Sequence, residues 1–236
     1  MPRLLVWNLK WARPGSRRGE LILRRIEELD PDVAVLTEVG GHFISGGYTV
    51  EPRRGWGYEG PAWRKKVQLW SRAPWHDVDV EGSTHMPGGR FTAATTRPAG
   101  LALRVIGVCI PWRAAHVSTG RKDRRPWEDH LSYLAELGSI LRSAARSETV
   151  VAGDWNQRVP RARQPSNVFR ALEDALPQDF SVGTAGPIPG LDRAVIDHVA
   201  VGPALRIQSV VGVPRGDAGV GDLTDHDGII ASLAAA

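Results

Sequence analysis

The sequence is poor in cysteine and in long apolar runs. Its 236 residues include one cysteine, Cys109, which excludes an internal disulfide and a zinc site built on cysteine thiolates. No stretch of about 18 apolar residues is present, so we expect no membrane-spanning helix. The N-terminal MPRLLVWNLKWARPG also lacks the apolar length and cleavage site of a signal peptide. We therefore expect a cytoplasmic protein with no membrane partner, in which any metal ion has oxygen or imidazole ligands.

The composition is sufficient for an ordinary hydrophobic core, with 42% hydrophobic and 24% charged residues. No linker, repeat or low-complexity segment divides the chain, so we expect a single domain over residues 1–236. Hydrophobic periodicity predicts helices at 16–30, 126–146 and 166–176. Apolar runs predict strands at 3–8, 32–39, 67–71, 91–97, 101–110, 149–153, 194–202, 207–213 and 228–234. Packed sheets covered by helices are the simplest arrangement of these elements.

The segment TVVAGDWNQRVP, residues 149–160, ends an apolar run in an acid, an aromatic residue and an amide. In an extended chain, Asp154 and Asn156 would face one side and Trp155 the other. Gly153 would let the backbone turn or approach a neighbour closely. Glycine, aspartate and asparagine are also common in turns, so this segment alone fits a simple turn equally well.

Other predicted strands also end or begin in polar residues that can bind metals or carry protons. These residues are Asn8, Glu38, Asp154, Asp197 and Asp225, with His198 and His226 beside the last two acids. Carboxylates near an amide, without cysteine, suit a hard cation such as Mg²⁺ or Mn²⁺. A divalent cation near a histidine suits phosphoryl chemistry.

In this order, the motifs WN (7–8), LTEV (36–39), GDWN (153–156), IDHV (196–199) and TDH (224–226) resemble the endonuclease/exonuclease/phosphatase superfamily. The resemblance covers residues 3 to about 230. It implies an α/β fold, a four-layer αββα sandwich of two mixed sheets with outer helices. It also implies a metal-dependent hydrolase of phosphate esters.

The resemblance implies a role for each motif residue. Asn8, Glu38 and Asp225 would lie at a Mg²⁺ or Mn²⁺ ion, with Glu38 as the principal ligand. Asp154 would orient or deprotonate the attacking water, and Asn156 would bind a phosphate oxygen. His226 would face the scissile phosphate with Asp197 as its partner, since a carboxylate fixes the ring and raises its basicity.

Two positions depart from the family pattern. Cys109 stands where many members have a second catalytic histidine or a tyrosine, and a thiol is a weak proton donor. His116, His130 or metal-bound water are the alternatives for protonating the leaving group. Lys10 stands where the apurinic-site enzymes have an acid, which argues against that subfamily.

The loops suggest an anionic partner. The net charge is +4, and basic residues concentrate in loops 51–66, 120–127 and 157–165, where several tryptophans lie among them. Arginine contacts backbone phosphates and aromatic rings stack on bases. The candidate substrate contacts are Arg158, Arg161, Trp112 and Trp155.

We therefore expect a nuclease or phosphodiesterase acting on DNA or RNA. The alternatives are a phosphatase or phosphodiesterase for small or lipid-linked phosphoesters, and a binding protein that has lost catalysis. A monomer is compatible with the sequence.

Overall fold

The computed structural model describes residues 1–143, 147–217 and 219–236, and in them two six-stranded sheets pack face to face. The first sheet contains β1 (Arg3–Asn8), β2 (Val33–Val39), β3 (Tyr48–Val50), β4 (Lys65–Ser71), β11 (Leu205–Val213) and β14 (Gly228–Ala235). The second contains β5 (His76–Asp79), β6 (Phe91–Thr96), β7 (Leu103–Cys109), β8 (Thr149–Asp154), β9 (Ser181–Val182) and β10 (Asp197–Val201). A separate hairpin joins β12 (Gly216–Asp217) to β13 (Gly221–Asp222).

Both sheets are mixed. The spatial order is β11-β14-β1-β2-β4-β3 in the first sheet and β5-β6-β7-β8-β10-β9 in the second. Strands β1 and β2 run parallel, as do β7 and β8, while the other neighbours are antiparallel. One hydrophobic core lies between the sheets and includes Leu4, Val35, Val105 and Val199.

Helices cover the outer faces of both sheets. The α-helices of the described residues are α1 (Arg17–Leu29), α2 (Glu128–Ser143) and α3 (Ser166–Ala175). Helix α1 packs on the first sheet through Ile22 and Ile26. Helices α2 and α3 pack on the second through residues such as Leu134 and Leu172. The four layers confirm the predicted αββα sandwich.

The three helices confirm the sequence prediction. The Ser16 hydroxyl caps α1 by accepting a hydrogen bond from the Gly19 amide at 3.1 Å. The predicted helix 126–146 begins two residues late, and its last three residues lie outside the described part. Among the described residues, no helix combines the length and apolarity needed to cross a membrane.

The nine predicted strands all form, whereas the short strands β3, β5, β9, β12 and β13 were not predicted as separate strands. The residues of β3, β5 and β9 are exposed or partly exposed, so they have little of the apolar pattern that identifies a strand.

The topology brings the polar strand ends to one end of the sandwich. Asn8 ends β1 and Glu38 lies near the end of β2, and these two strands are parallel. Asp154 ends β8, and Asp197 begins β10, which is antiparallel to β8. His226 lies two residues before β14, which is antiparallel to β1. Five segments that are distant in sequence therefore meet at one edge.

Candidate active site

Asp154, Asp197 and His226 form a buried cluster at this edge. Asp154 and Asp197 are opposite each other in the register of β8 and β10, and both are buried. His226 Nδ1 and Asp197 Oδ2 are 2.5 Å apart, so the ring donates to this carboxylate. One ligand atom from each of the three side chains lies within 4.8 Å of the others.

The cluster shifts the proton affinity of its members. Burial raises the pKa of Asp154 to about 7; the charges of Asp197 and Glu38 add to this effect, and His226 opposes it. Burial lowers the pKa of His226, but the charges of Asp197 and Asp154 outweigh it and raise that pKa to about 10. His226 is therefore an imidazolium near neutral pH, and Asp154 is poised to accept a proton.

Two backbone features shape the Asp154 loop. Gly153 has a φ of +136°, and a Cβ there would lie 2.0 Å from the carbonyl oxygen of Val108. This close approach confirms the expected need for glycine. The expectation that Asp154 and Asn156 share one side of an extended strand is wrong, because the strand ends at Asp154 and Asn156 has a φ of +54°.

Asn156 and Asn8 nevertheless each donate a hydrogen bond to Asp154. The Asn156 backbone amide donates to Asp154 Oδ1 at 2.9 Å, and its side-chain Nδ2 donates to the Ile110 carbonyl at 2.8 Å. Asn8 Nδ2 donates to Asp154 Oδ2 at 3.1 Å. The Thr224 hydroxyl donates to the Asn8 carbonyl at 2.7 Å, which joins the end of β1 to the segment that carries His226.

The two acids expected at a metal ion are each paired with a lysine. Lys66 Nζ lies 2.5 Å from Glu38 Oε1, and Lys10 Nζ lies 3.2 Å from Asp225 Oδ2. Glu38 has a φ of +49°, a strained conformation that occurs often at functional sites. Sequence reasoning placed Lys66 only in a basic loop and missed this contact. The available signal was a lysine at the start of an apolar strand.

The donor atoms at this edge suit a hard divalent cation. Glu38, Asp154, Asp197 and Asp225 supply carboxylate oxygens, and Asn8 supplies an amide oxygen. Asp197 Oδ1 is buried and has no hydrogen-bond partner in the described part of the chain, so an acceptor remains available. Among the described residues, the ligand atoms of Asp154, Asp197 and His226 lie close enough together to hold one metal ion. This cluster overlaps the residues expected to be catalytic and lies beside those expected to hold the metal.

The expected substrate contacts occupy different environments. Arg158 lines a cavity of about 100 Å³ together with Asp197, Asp225 and His226. Arg158 and Arg161 also line an adjoining cavity of about 370 Å³. Trp112 is 46% exposed. The expectation that Trp155 contacts substrate is wrong, because Trp155 is 1% exposed and packs in the core between the second sheet and its helices.

His130, one alternative for the second proton donor, is a buried structural residue. Its Nδ1 donates to the Pro111 carbonyl at 2.7 Å, and its Nε2 accepts from Gln157 Nε2 at 2.8 Å. Burial lowers the pKa of His130 to about 4. Both ring nitrogens are occupied and the ring is neutral, so His130 has no proton to give to a leaving group.

His116 and Cys109 are also buried. His116 Nδ1 lies 2.5 Å from Asp129 Oδ2, and its Nε2 lies 3.3 Å from Arg121 Nη1. Burial raises the pKa of Cys109 to about 12, so the side chain stays a neutral thiol.

Comparison with known proteins extends this description. A model described as the Endonuclease/Exonuclease/phosphatase family matches residues 5–226. No curated protein sequence matches the chain. An AP endonuclease from Archaeoglobus fulgidus has a similar structure, with a TM-score of 0.73 and 16% identity over 98% of this chain and 99% of that one. A variant of the 3′ phosphatase NExo from Neisseria, bound to a product DNA hairpin, has a TM-score of 0.70 and 18% identity over 99% of this chain and 100% of that one.

Proposed function

The chain belongs to the Endonuclease/Exonuclease/phosphatase family, and from this premise we propose that it is a Mg²⁺- or Mn²⁺-dependent phosphodiesterase that cleaves DNA or RNA. Members of this family are divalent-metal-dependent hydrolases of phosphoester bonds. The observation that carries the proposal is the buried cluster of Asp154, Asp197 and His226, with Asn8 and Asn156 bonded to Asp154.

Asp154 is the residue that activates water. Its raised pKa of about 7 brings its proton affinity close to that of a good general base at neutral pH. The Asn156 amide and the Asn8 side chain fix both carboxylate oxygens, so the acceptor is held in one orientation. An attacking water that donates to Asp154 becomes a better nucleophile.

His226 and Asp197 act on the phosphate. With its pKa raised to about 10, His226 stays positively charged and stabilises negative charge that develops on a phosphate oxygen. Asp197 holds the Nδ1 side of the ring, which leaves Nε2 to donate to substrate. Asn156 Nδ2 has two hydrogens, one of which bonds to Ile110, and the other is available for a second phosphate oxygen.

Glu38, Asp225 and Asn8 would hold the divalent cation. When bound, the cation neutralises phosphate charge and polarises the phosphorus–oxygen bond. Lys66 and Lys10 contact the two acids and would be displaced from them when the cation binds.

Exposed arginines and the structural comparisons support a nucleic-acid substrate. Arg158 and Arg161 are exposed beside the cluster, where they suit backbone phosphates. The similar structures include an AP endonuclease and a 3′ phosphatase bound to a DNA hairpin. The first is named as an endonuclease, and the second is described with its product DNA bound.

A substrate panel tests this proposal. Plasmid DNA, single-stranded DNA, RNA and small phosphoesters are incubated with Mg²⁺, Mn²⁺ or a chelator. Wild type and an Asp154→Asn variant purified in parallel are compared, so that a contaminating nuclease is recognised. We expect metal-dependent cleavage of nucleic acid by wild type and a loss of about 10²–10⁴-fold in the variant, the usual contribution of a general base. Turnover of small phosphoesters without nucleic-acid cleavage, or equal activity of the variant, would refute the proposal.

A further inference from the structure

A further cleft is lined by aromatic side chains and by Lys66, which contacts Glu38. We call it the aromatic cleft; its volume is about 240 Å³, and its aromatic residues are Trp11, Trp56, Tyr58 and Trp112. The rings of Trp11 and Trp56 stack, with centroids 5.3 Å apart. These four side chains are not members of the hydrophobic cores found among the described residues. Their grouping at the surface is therefore not part of the packing of these cores.

The aromatic cleft also contains three cations. These are Arg64, Lys66 and Arg90. Arg90 is 1% exposed and uses Nη1 to donate to the Cys109 carbonyl at 3.3 Å. Its Nε and Nη2, and Nε of Arg64, are buried without a hydrogen-bond partner among the described residues. Because buried donors without partners are costly, these groups are suited to an anionic ligand.

The walls of the cleft are held in place before any ligand binds. The Tyr58 ring stacks on His116 at 4.5 Å, and its hydroxyl accepts a hydrogen bond from the His116 backbone amide at 2.9 Å. Asp129 in turn holds His116 Nδ1 at 2.5 Å and accepts from Arg124 at 2.7 Å. Such preorganisation lowers the entropic cost of binding.

The position of the cleft links it to the reaction. Lys66 lines the cleft and contacts Glu38. Arg90 bonds to the backbone of Cys109, which is opposite Asp154 in the register of β7 and β8. A ligand in the cleft is therefore next to the phosphate that the cluster would hold.

Rings beside cations suit a nucleotide whose base is not paired, because stacking on aromatic side chains needs an accessible base face. The bases of a duplex present only their edges in the grooves. At about 240 Å³, the cleft is smaller than the roughly 300–1,000 Å³ of pockets that enclose a whole small-molecule ligand. This size favours one nucleotide of a longer chain.

We propose that the aromatic cleft binds an unpaired nucleotide next to the scissile phosphate, with the base stacked on Trp56 and Trp112 and its phosphate bound by Arg64 and Arg90. The proposal rests on the proposed nuclease function and adds to it a preference for single-stranded or locally unpaired substrate.

Binding without catalysis tests the cleft directly. Fluorescence anisotropy measures the affinity of the full chain, in a chelator, for a labelled single strand and for a blunt duplex of equal length. We expect tighter binding of the single strand. Trp56→Leu and Trp112→Leu should each weaken single-strand binding about 5- to 100-fold, the usual effect of losing one stacking aromatic residue, and should leave duplex binding unchanged.

Two control variants make the result specific. Tyr48→Leu removes an exposed aromatic side chain on β3, outside the cleft, and should bind like wild type. Trp56→Phe should retain most of the single-strand affinity because it keeps a ring. Thermal melting confirms that each variant folds. Equal binding of both substrates by wild type, or unchanged single-strand affinity in both leucine variants, would overturn the proposal that the cleft binds an unpaired nucleotide. Either result would leave the proposed nuclease function intact, because the substrate panel tests that function separately.

Discussion

The Lys66 ammonium lies 2.5 Å from the Glu38 carboxylate, and the lysine is only 8% exposed. Glu38 falls between two paired positions of β2 and β4, Thr37 with Val67 and Val39 with Lys65, so the strand pairing itself sets this contact. Lys66 also lies 4.9 Å from the ring centroid of Trp11. A nearly buried ammonium therefore contacts the carboxylate that we propose as the principal metal ligand.

This contact predicts that Lys66 competes with the divalent cation for Glu38. In Lys66→Met the cation no longer has to displace an ammonium group, so Mn²⁺ should bind more tightly. We expect a gain of about 10-fold, which corresponds to about 1.4 kcal/mol of removed competition. Calorimetric titration with Mn²⁺ measures it without any substrate. Lys10→Met is the matched control and should change Mn²⁺ affinity less, because the pair with Asp225 is half exposed. Unchanged or weaker Mn²⁺ binding in Lys66→Met would contradict the competition.

Asp197 should determine the alkaline limit of activity. Wild-type His226, with its pKa raised to about 10, stays protonated throughout the neutral range. In Asp197→Asn the main charge that raises this pKa is lost, so the pKa falls toward the ordinary value of 6.5. Turnover in the variant should then decrease as the pH rises through the neutral range, while wild type stays active. Turnover numbers measured between pH 5.5 and 9.5 test this. If the pH profiles of wild type and Asp197→Asn were parallel, the pairing with Asp197 would not be what keeps His226 protonated.

Arg158 and Arg161 should contribute charge contacts to a polyanion. Replacing both with alanine should weaken DNA binding by a similar factor whatever the DNA sequence. It should also reduce the slope of log affinity against log salt concentration by about 1.4 to 1.8, since each lost phosphate contact removes about 0.7 to 0.9. Arg17→Ala with Arg24→Ala on helix α1 is the control, because both side chains are exposed and neither lines the two cavities described beside the cluster. An unchanged slope in the first double variant would exclude the 157–165 loop as a nucleic-acid surface.

The sequence was sufficient for the helices, the main strands and the polar strand ends, because these depend on local patterns, whereas the four-layer arrangement was predicted from the resemblance of the motifs. An apolar run that stops at Asp154, or begins after His226, marks the end of a strand whatever its neighbours are. The burial of Trp155 and the pairing of Lys66 with Glu38 could not be predicted in this way. Alternation along a strand separates two faces but does not identify which face a helix will cover. The lysine contact depends on the register between β2 and β4, which are far apart in sequence.

Acid should destabilise the fold through two buried histidines that share one glutamine. His198 Nε2 donates to the Gln157 carbonyl at 3.0 Å, and Gln157 Nε2 donates to His130 at 2.8 Å. Burial lowers the pKa of His198 and of His130 to about 4, from an ordinary value of 6.5. Between these two pH values the unfolded chain binds more protons, so the free energy of unfolding must fall as the pH falls.

The size of this effect can be isolated with His198→Gln, whose amide can keep polar contacts without a titrating ring. For each histidine the full effect is on the order of 3 kcal/mol, since one pKa unit corresponds to about 1.4 kcal/mol. Urea unfolding at intervals from pH 7 to pH 4 should show a smaller loss of stability in the variant than in wild type. Thr184→Val, which removes the hydroxyl 2.9 Å from His198 Nδ1 but keeps the ring, is the control and should retain the acid-dependent loss. A loss of stability that is identical in wild type and His198→Gln would mean that burial does not keep the His198 ring neutral.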